Sequence, residues 1–477
     1  MLHKPNFFVS VDFGTSTTGF AYSFRNDKAN CHFLAENWNG TNSVSSDHER
    51  KTSLTKLAYT ASGKALFWGH SAQKQIVDRE FERDEEEESE LYLFEQFKMK
   101  LLSTCSVENN TVSDVSGTMT KNVFDLIVDM LSFVYTRIQQ CYEQEYGGGS
   151  LNENNVFWCL TVPAIWTEAQ KAMMKRAAFK VGMIKTRYPT EDEFLLVLDP
   201  EAAAVYCMEE MRKNGGKLVD EEKILVLDAG GGTVDLTSHI VSRGKLRELS
   251  PGSGALCGSS QLDVQFREFL CTEFGREIID RFQTLYTDDY LILMNNWELT
   301  KCGINGYTTT FVPTSYMFQS YLASCNIENP SFDDGSCCLV ISPEKLKRIF
   351  DDTLRTINLL VEDQFAACVT ETGSTFDYIY IVGGFGSSSL LQTMIRHNFG
   401  HCTRKEIFVP RRPREATLYG VLLLGMDPSI ISTRKMRVTY GCSVQRRFIP
   451  GKHSIEKKVT KNQVDYCQDC FDKFVTI

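Results

Sequence analysis

Two aspartates, Asp12 and Asp228, each end an apolar run and open onto small residues, in "FFVSVDFGTSTTGF" and "ILVLDAGGGTVDL". A strand-end carboxylate suits a hydrated divalent cation, and the amides and short hydroxyls beyond it suit phosphate oxygens. Thr15, Ser16 and Thr233 supply such hydroxyls beside Gly14, Gly230, Gly231 and Gly232. Three consecutive glycines weaken a strand, because each must be ordered without a side chain to pack. They therefore mark either a tight hairpin turn or a surface against which phosphates lie. Neither stretch is a Walker A loop, since no Gly-Lys-Ser/Thr follows. A third apolar run, "DYIYIVGGFGSSSLLQTMI", places Gly383, Gly384 and Gly386 just before a helical pattern at Leu390, Leu391 and Met394.

The elements that must hold these residues alternate in type. The runs at Asp12 and Asp228 share one plan of apolar strand, aspartate, small residues and second strand, which reads as a long-period duplication giving two similar lobes. "NVFDLIVDMLSFVYTRIQQCYEQ" spaces Phe124, Ile127, Leu131, Val134 and Ile138 as the buried face of a helix, broken by the glycines at 147–149. "NVFWCLTVPAIW" is a buried strand ending at Pro163, and "TEAQKAMMKRAAFKVG" is a helix with Thr167 at its N-cap. "FLLVLDPEAAAVYCMEEMRKNGG" is a strand, an Asp-Pro corner and a helix stopped by glycines, whereas "IENPSFDDGSC" is loop-like. Strands alternating with helices predict an α/β protein with buried sheets.

Bulk properties narrow the function. The chain has 477 residues, which predicts two to four folding units. Its formal net charge of -10 argues against nucleic acid as the main partner. The acidic run at 83–90 is expected to be a solvated helix or loop. The N-terminus lacks the apolar core of a secretory signal, and no apolar run reaches the roughly 18 residues of a membrane span. The 16 cysteines are accordingly expected to be reduced thiols. Cys467 and Cys470 form a Cys-x-x-Cys pair without the second pair a zinc ribbon requires. The sequons at Asn39 and Asn109 carry no weight in a cytosolic chain.

Taken in order, "VDFGTSTTG", "LDPEAAAVY", "LVLDAGGGTVDL", "YIVGGFGSSSLLQ" and "RRPREATLYGVLLLG" resemble the first phosphate loop, first connection, second phosphate loop, adenosine loop and second connection of the actin-like ATPase superfamily. Within it the chain resembles the 70-kilodalton heat-shock family. "LYLFEQFKMKL", "TVPAIWTEAQKAMMKRAAFKVG" and "YGCSVQRRFIPGKH" are similar to its divergent 12A/12B branch. The resemblance implies an α/β, actin-like (ribonuclease H-like) fold of two lobes. Each lobe has an α/β subdomain plus a smaller one, and the nucleotide sits in the central cleft. Lobe boundaries are expected at 1–212 and 213–428, with 429–477 a remnant or truncated start of a substrate-binding β domain.

Implied ligands are ATP or ADP and Mg²⁺. Asp12, Asp199 and Asp228 take the catalytic positions, and Asp12 and Asp228 hold the metal through water. Gly14, Thr15 and Ser16, with Gly230, Gly231, Gly232 and Thr233, face the phosphates. Glu298 and Lys301, in "NNWELTKCG", face the ribose and base, and Gly383, Gly384 and Gly386 border the adenosine. A monomeric, cytoplasmic, chaperone-like switch with an unidentified protein partner follows. A scaffold without meaningful hydrolysis, or a small-molecule kinase on the same fold, are the alternatives.

Several positions depart from the family. Gln73, in "WGHSAQKQ", stands where typical members have a phosphate-facing lysine, and Lys74 is rotated about 100° away on a helix. Asp199 replaces a longer glutamate. Phe385 and Ser387 replace the Ser and Arg of the adenosine loop, and Cys302 replaces a base-side arginine. These changes predict nucleotide binding with slow hydrolysis. "STRKMRVTYGCSVQRRF" contains no leucine-rich linker, and the C-terminal segment is too short for a seven-stranded sandwich.

Overall fold

The apolar run Phe7–Phe13 forms β1 and pairs antiparallel with β2 (Thr17–Phe24), with Asp12 opposite Gly19. Short strands β3 (His32–Phe33) and β4 (Thr52–Leu54) add to β2. On the other side of β1 run parallel β5 (Val156–Val162) and β6 (Phe194–Leu198), giving the order β6-β5-β1-β2-β3. A second sheet repeats the arrangement. Its centre, β7 (Lys223–Ala229), pairs antiparallel with β8 (Val234–Ser242), which continues to β9 (Lys245–Ala255). Parallel β10 (Tyr378–Val382) and β11 (Glu406–Phe408) flank β7, and β12 (Ile431–Thr433) edges β9, giving β11-β10-β7-β8-β9-β12. Every residue of β5 and β7 is buried, which is why both read as continuous apolar runs rather than alternating ones. This computed structural model describes residues 7–24, 32–33, 52–77, 90–101, 110–146, 151, 155–186, 189, 193–306, 308–327, 331–333, 337–437 and 439–475. The acidic run before Glu90, the sequons at Asn39 and Asn109, and the glycines at 147–149 lie outside these residues.

Helices cover both sheets. After α1 (Gly69–Val77), helices α2 (Val123–Tyr146) and α3 (Glu168–Val181) bury Leu126, Ile127, Leu131, Val134 and Met174 against the first sheet. Of the face expected from sequence, Ile127, Leu131, Val134 and Ile138 are buried, whereas Phe124 in the first turn is half-buried against the same cluster. Thr167 caps α3 in a reciprocal box with Gln170, and left-handed Gly182 ends it. Helix α4 (Asp199–Lys213) begins at the Asp-Pro corner, with Pro200 in its first turn, where the missing N–H leaves no bond unmade. Helices α5 (Ser259–Phe274), α6 (Thr287–Lys301) and α7 (Pro343–Thr372) pack on the second sheet around fully buried Trp297 and Phe266, whose rings stack 4.2 Å apart. Helix α8 (Ser389–Phe399) follows β10.

A third core cluster joins residues of both sheets with α4 and the apolar helix α9 (Ala416–Met426). There α9 crosses α4 so closely that a Cβ on Gly420 would lie 1.7 Å from the Ala202 carbonyl oxygen. The "GVLLLG" stretch is thus a buried connection, as its composition suggested.

One detail differs from the sequence expectation. "IENPSFDDGSC" includes a two-residue strand, Phe332–Asp333, because Phe332 and Asp333 pair with Leu339 and Cys338. The linker-like stretch after α9 is tied down by charge rather than by leucines. Arg434 grips buried Glu201 of α4 through two bonds of 2.7 and 3.1 Å, and Arg437 pairs with Glu248 at 3.5 Å and donates to the Ala164 carbonyl. Beyond it, Tyr440–Arg447, Lys458–Lys461 and Val464–Val475 form a three-stranded antiparallel sheet. Cys467 and Cys470 lie three residues apart on its last strand, and neither they nor any other described cysteine forms a disulfide. Among the described residues, no group of three or more His, Cys, Asp or Glu is placed to ligate a metal directly.

Candidate functional site

The β1–β2 and β7–β8 hairpins meet tip to tip, and their turns are built alike. Asp12 and Asp228 are each the last residue but one of their strand. In each turn the glycine N–H donates back across three residues, Gly14 to Thr17 and Gly230 to Thr233, both at 3.0 Å. Thr15 and Ser16 therefore occupy the turn positions that Gly231 and Gly232 hold in the other hairpin. The loops interlock across a pseudo-two-fold. A Cβ on Gly231 would sit 2.0 Å from Ser16 Oγ, and one on Gly232 would sit 2.5 Å from Thr15 Oγ1. Gly231 and Gly232 do not adopt positive φ, so the turn does not need their conformational freedom. The geometry requires glycine here because the opposite loop approaches closely, a contact that neither reading of the sequence named.

The loop carbonyls are occupied. Gly230, Gly231 and Gly232 accept from the N–H groups of Ser259, Ser260 and Gly258 at the start of α5, at 3.1, 2.7 and 3.2 Å. Gly383, at the end of β10, has φ 87°, and a Cβ there would lie 2.3 Å from the Ala229 carbonyl. Only glycine satisfies both conditions.

A pocket opens between these turns. It is lined by Asp12, Gly14, Thr15, Ser16, Asp199, Asp228, Gly230, Gly231, Gly232, Thr233, Glu298, Lys301, Gly383 and Gly384. Of the residues assigned to the site from sequence, Gly386 is outside the lining; it sits buried in a 3₁₀ turn, where its carbonyl accepts from Gln392. Gln73 is also elsewhere, on α1, with its amide donating to Asn295 at 3.2 Å.

The electrostatics of the pocket are dominated by four carboxylates. Asp235, paired across the β7–β8 ladder with Asp228, joins Asp12, Asp199 and Asp228. Burial, reinforced by Asp199, raises both Asp12 and Asp235 to about 7. Burial, then repulsion from Asp199, Asp235 and Asp12, holds Asp228 far above the ordinary carboxylate range. Burial likewise raises Asp199, with Lys98 opposing. Donors reach these carboxylates: Thr161 to Asp12 at 3.1 Å, Thr417 to Asp228 at 3.3 Å and the Ile165 N–H to Asp235 at 3.1 Å, with the Thr161 hydroxyl also facing Asp199. Buried Asp199 Oδ1 has no hydrogen-bond partner. Crowded carboxylates with an orphaned oxygen fit a hard divalent cation held mostly through water, since Mg²⁺ favours carboxylate and phosphate oxygens and keeps part of its hydration shell.

Three basic residues line the pocket, and only one of the three had been singled out as a site residue from sequence. Lys301 is committed to Asp263 at 2.6 Å and to Glu298, and also donates to the Ser259 carbonyl. Burial raises Asp263 to about 6 against the opposing charge of Lys301. Lys98, in the 3₁₀ turn Phe97–Leu101, is buried beside Asp12 and Asp199. Its amine donates to the Phe13 carbonyl and lies over the rings of Phe13 and Trp166, at 5.3 and 5.2 Å from the centroids. Arg414, from "RRPREATLYG", reaches the opposite rim, where it donates to Cys302 Sγ at 3.4 Å beside Phe385 and Gly384. Both Lys98 and Arg414 lie in stretches visible in the sequence, but nothing local marks them, because turns far along the chain bring them to the pocket.

Comparison with known proteins places this pocket in a family context. The family model described as "Hsp70 protein" matches residues 132–409, more than half of the chain. The chain is 28% identical to human Heat shock 70 kDa protein 12A over 532 aligned positions, covering 98% of this chain and 76% of that protein. To human Heat shock 70 kDa protein 12B it is 27% identical over 533 positions, covering 98% and 75%. The Chaperone protein DnaK of Thermosipho melanesiensis is 23% identical over 304 positions, covering 62% of this chain and 44% of that protein.

Proposed function

The chain belongs to the Hsp70 family, and from that premise we propose that it binds ATP or ADP with Mg²⁺ in this pocket and uses nucleotide as a conformational switch. The family carries the actin-like ATPase fold. In the proposed arrangement, residues 1–212 and 213–428 act as two lobes, and 429–477 is the start or remnant of a substrate-binding β domain. The observation that carries the proposal is the pair of interlocked turns set among four buried carboxylates. Gly14, Thr15, Ser16, Gly230, Gly231, Gly232 and Thr233 would direct amides and hydroxyls at phosphate oxygens. Asp12 and Asp228 would hold metal-bound water, and a bound Mg²⁺ supplies the positive charge that these carboxylates lack. Glu298, Lys301, Gly383 and Gly384 would border the nucleoside, with Gly386 supporting that turn from behind.

Hydrolysis is proposed to be slow. Asp199 would orient the attacking water with a side chain one methylene shorter than the glutamate of typical members, and positioning errors of this size weaken catalysis steeply. Gln73 offers no cation, and its contact with Asn295 keeps it out of the pocket. Those two observations favour a second reading, a nucleotide-binding scaffold without meaningful hydrolysis. In either case nucleotide changes the protein only through different affinity for its two states, and a protein partner reads the difference. We place the protein in the cytoplasm as a monomer; no described helix is long and apolar enough to cross a membrane.

Thermal melting of the purified chain with millimolar Mg-ATP or Mg-ADP tests the proposal. Stabilisation of about 3 kcal/mol is expected at a hundredfold excess over Kd. Absence of any shift with either nucleotide overturns both readings. Phosphate-release kinetics then separate a slow ATPase from a scaffold.

A further inference from the structure

We propose that Lys98 is the phosphate-binding cation of this pocket, supplied by the 3₁₀ turn Phe97–Leu101 in place of the α1 position held by Gln73. The inference rests on the nucleotide-binding reading above and deepens it by naming the residue that meets the outer phosphates.

Three observations carry it. First, Lys98 is 3% exposed yet lines the pocket wall with Asp12 and Asp199. Burying an ammonium is expensive unless its charge and donors are answered. Second, the answer within the protein is incomplete. An ammonium has three donors. Among the described residues, Lys98 donates to the Phe13 carbonyl alone and makes no ion pair; its other contacts are the faces of Phe13 and Trp166. Third, the same wall holds an unanswered acceptor of opposite charge, Asp199 Oδ1. A buried cation with spare donors and a buried carboxylate oxygen without a partner call for a ligand that carries both signs. Metal-bound phosphate is that ligand, with phosphate oxygens for Lys98 and the metal's water for Asp199.

The cage around Lys98 also explains why the position works. The Phe13 carbonyl sits at the end of β1, beside Asp12, so the bond that anchors the amine ties it to the first phosphate turn. Trp166 holds it from the far side through the face of its ring. The ammonium is thus anchored by a carbonyl and two rings rather than by a direct ion pair, with Asp12 and Asp199 beside it but not bonded to it. Lys301, by contrast, is already neutralised by Asp263 and Glu298.

The test is calorimetric titration of the full chain with Mg-ATP and with adenosine, in wild type, Lys98→Met, Lys98→Arg and Gln73→Lys. Lys98→Met is expected to weaken ATP at least about tenfold while leaving adenosine within about twofold, because only charge-assisted phosphate bonds are lost. Lys98→Arg restores most of the loss, and Gln73→Lys changes neither affinity. A merely structural role would move ATP and adenosine together, and that result overturns the proposal, as does an unchanged ATP affinity in Lys98→Met. Wild type that binds no ATP instead overturns the nucleotide reading itself. Should Lys98→Met fail to fold, reductive methylation of the wild-type chain decides. ATP, and not adenosine, must slow modification at Lys98; equal rates with and without ATP sink the assignment.

Discussion

The two hairpin tips share one backbone plan and divide its side chains unequally. The β1–β2 turn carries Thr15 and Ser16, whereas the β7–β8 turn carries Gly231 and Gly232 at the same positions, and each hydroxyl occupies the space an opposing Cβ would need. The difference shows that the glycine run serves the opposite turn as much as any ligand. Two copies of either turn could not meet this way. Two hydroxyl-bearing turns would collide, and two glycine turns would leave a gap and lose their short donors.

The strongest way to break that complementarity is Gly231→Val. Its Cβ would overlap Ser16 Oγ, so the turns must part, and ATP affinity is expected to fall at least about a hundredfold in calorimetry. Adding Ser16→Gly should recover part of that loss, since it empties the contested space; no recovery would mean that the glycine acts on ligand alone.

Next in size is Asp228→Asn. It removes a buried carboxyl that the fold holds protonated and the unfolded chain ionises, so the ligand-free chain should melt about 2–4 °C higher, while the Mg-ATP shift disappears. Stabilisation with the nucleotide shift intact would show that Asp228 is not needed to hold the metal.

The hairpins also differ away from their tips, where His239 of β8 corresponds to Ser23 of β2. His239 is fully buried and pushed down to about 4, chiefly by burial and further by Arg434, with Glu201 opposing. Its folded value lies below its unfolded one, near 6.5, so between these pH values the unfolded chain binds a proton that the folded chain refuses. Stability from this residue is complete above about pH 6.5 and is lost as pH falls towards 4, by roughly 3 kcal/mol at most. His239→Phe should flatten that part of the pH–stability curve in denaturant titrations. The smallest effect is expected at Gly384, where an added Cβ meets nothing within 4 Å. Gly384→Ala should change melting by less than about 1 °C, and a large loss would place a ligand or a moving segment against that surface.

Much of this architecture was legible in the chain. The continuous apolar runs of β5 and β7 read as buried strands, and Thr167 announced the start of α3 through local chemistry alone; its partner Gln170 came only with the structure. The paired aspartates and glycines were equally visible, because each turn's residues are neighbours in sequence. What the sequence concealed depends on distant parts of the fold. Gln73 stands out locally against the lysine of typical members, but Lys98 reaches the pocket from another turn that no local pattern marks. Lys301 reads as an available amine until the fold places Asp263 beside it. Asp235 lay in plain view within "GGTVDL", and only the β7–β8 register sets it against Asp228.

The crossing of α9 over α4 sets a mechanical limit. With Gly420 pressed against the Ala202 carbonyl, the joint is backbone on backbone, with no deformable side-chain layer between. Sliding α9 by one turn would bring Ala416 or Leu424 to that point, and either carries a Cβ the contact cannot admit. Translation along the joint is therefore blocked, and rotation about it is the freedom that remains. In the proposed switch, Gly420 would thus be a bearing with a fixed address, about which the two sheets would turn without losing their axial registration.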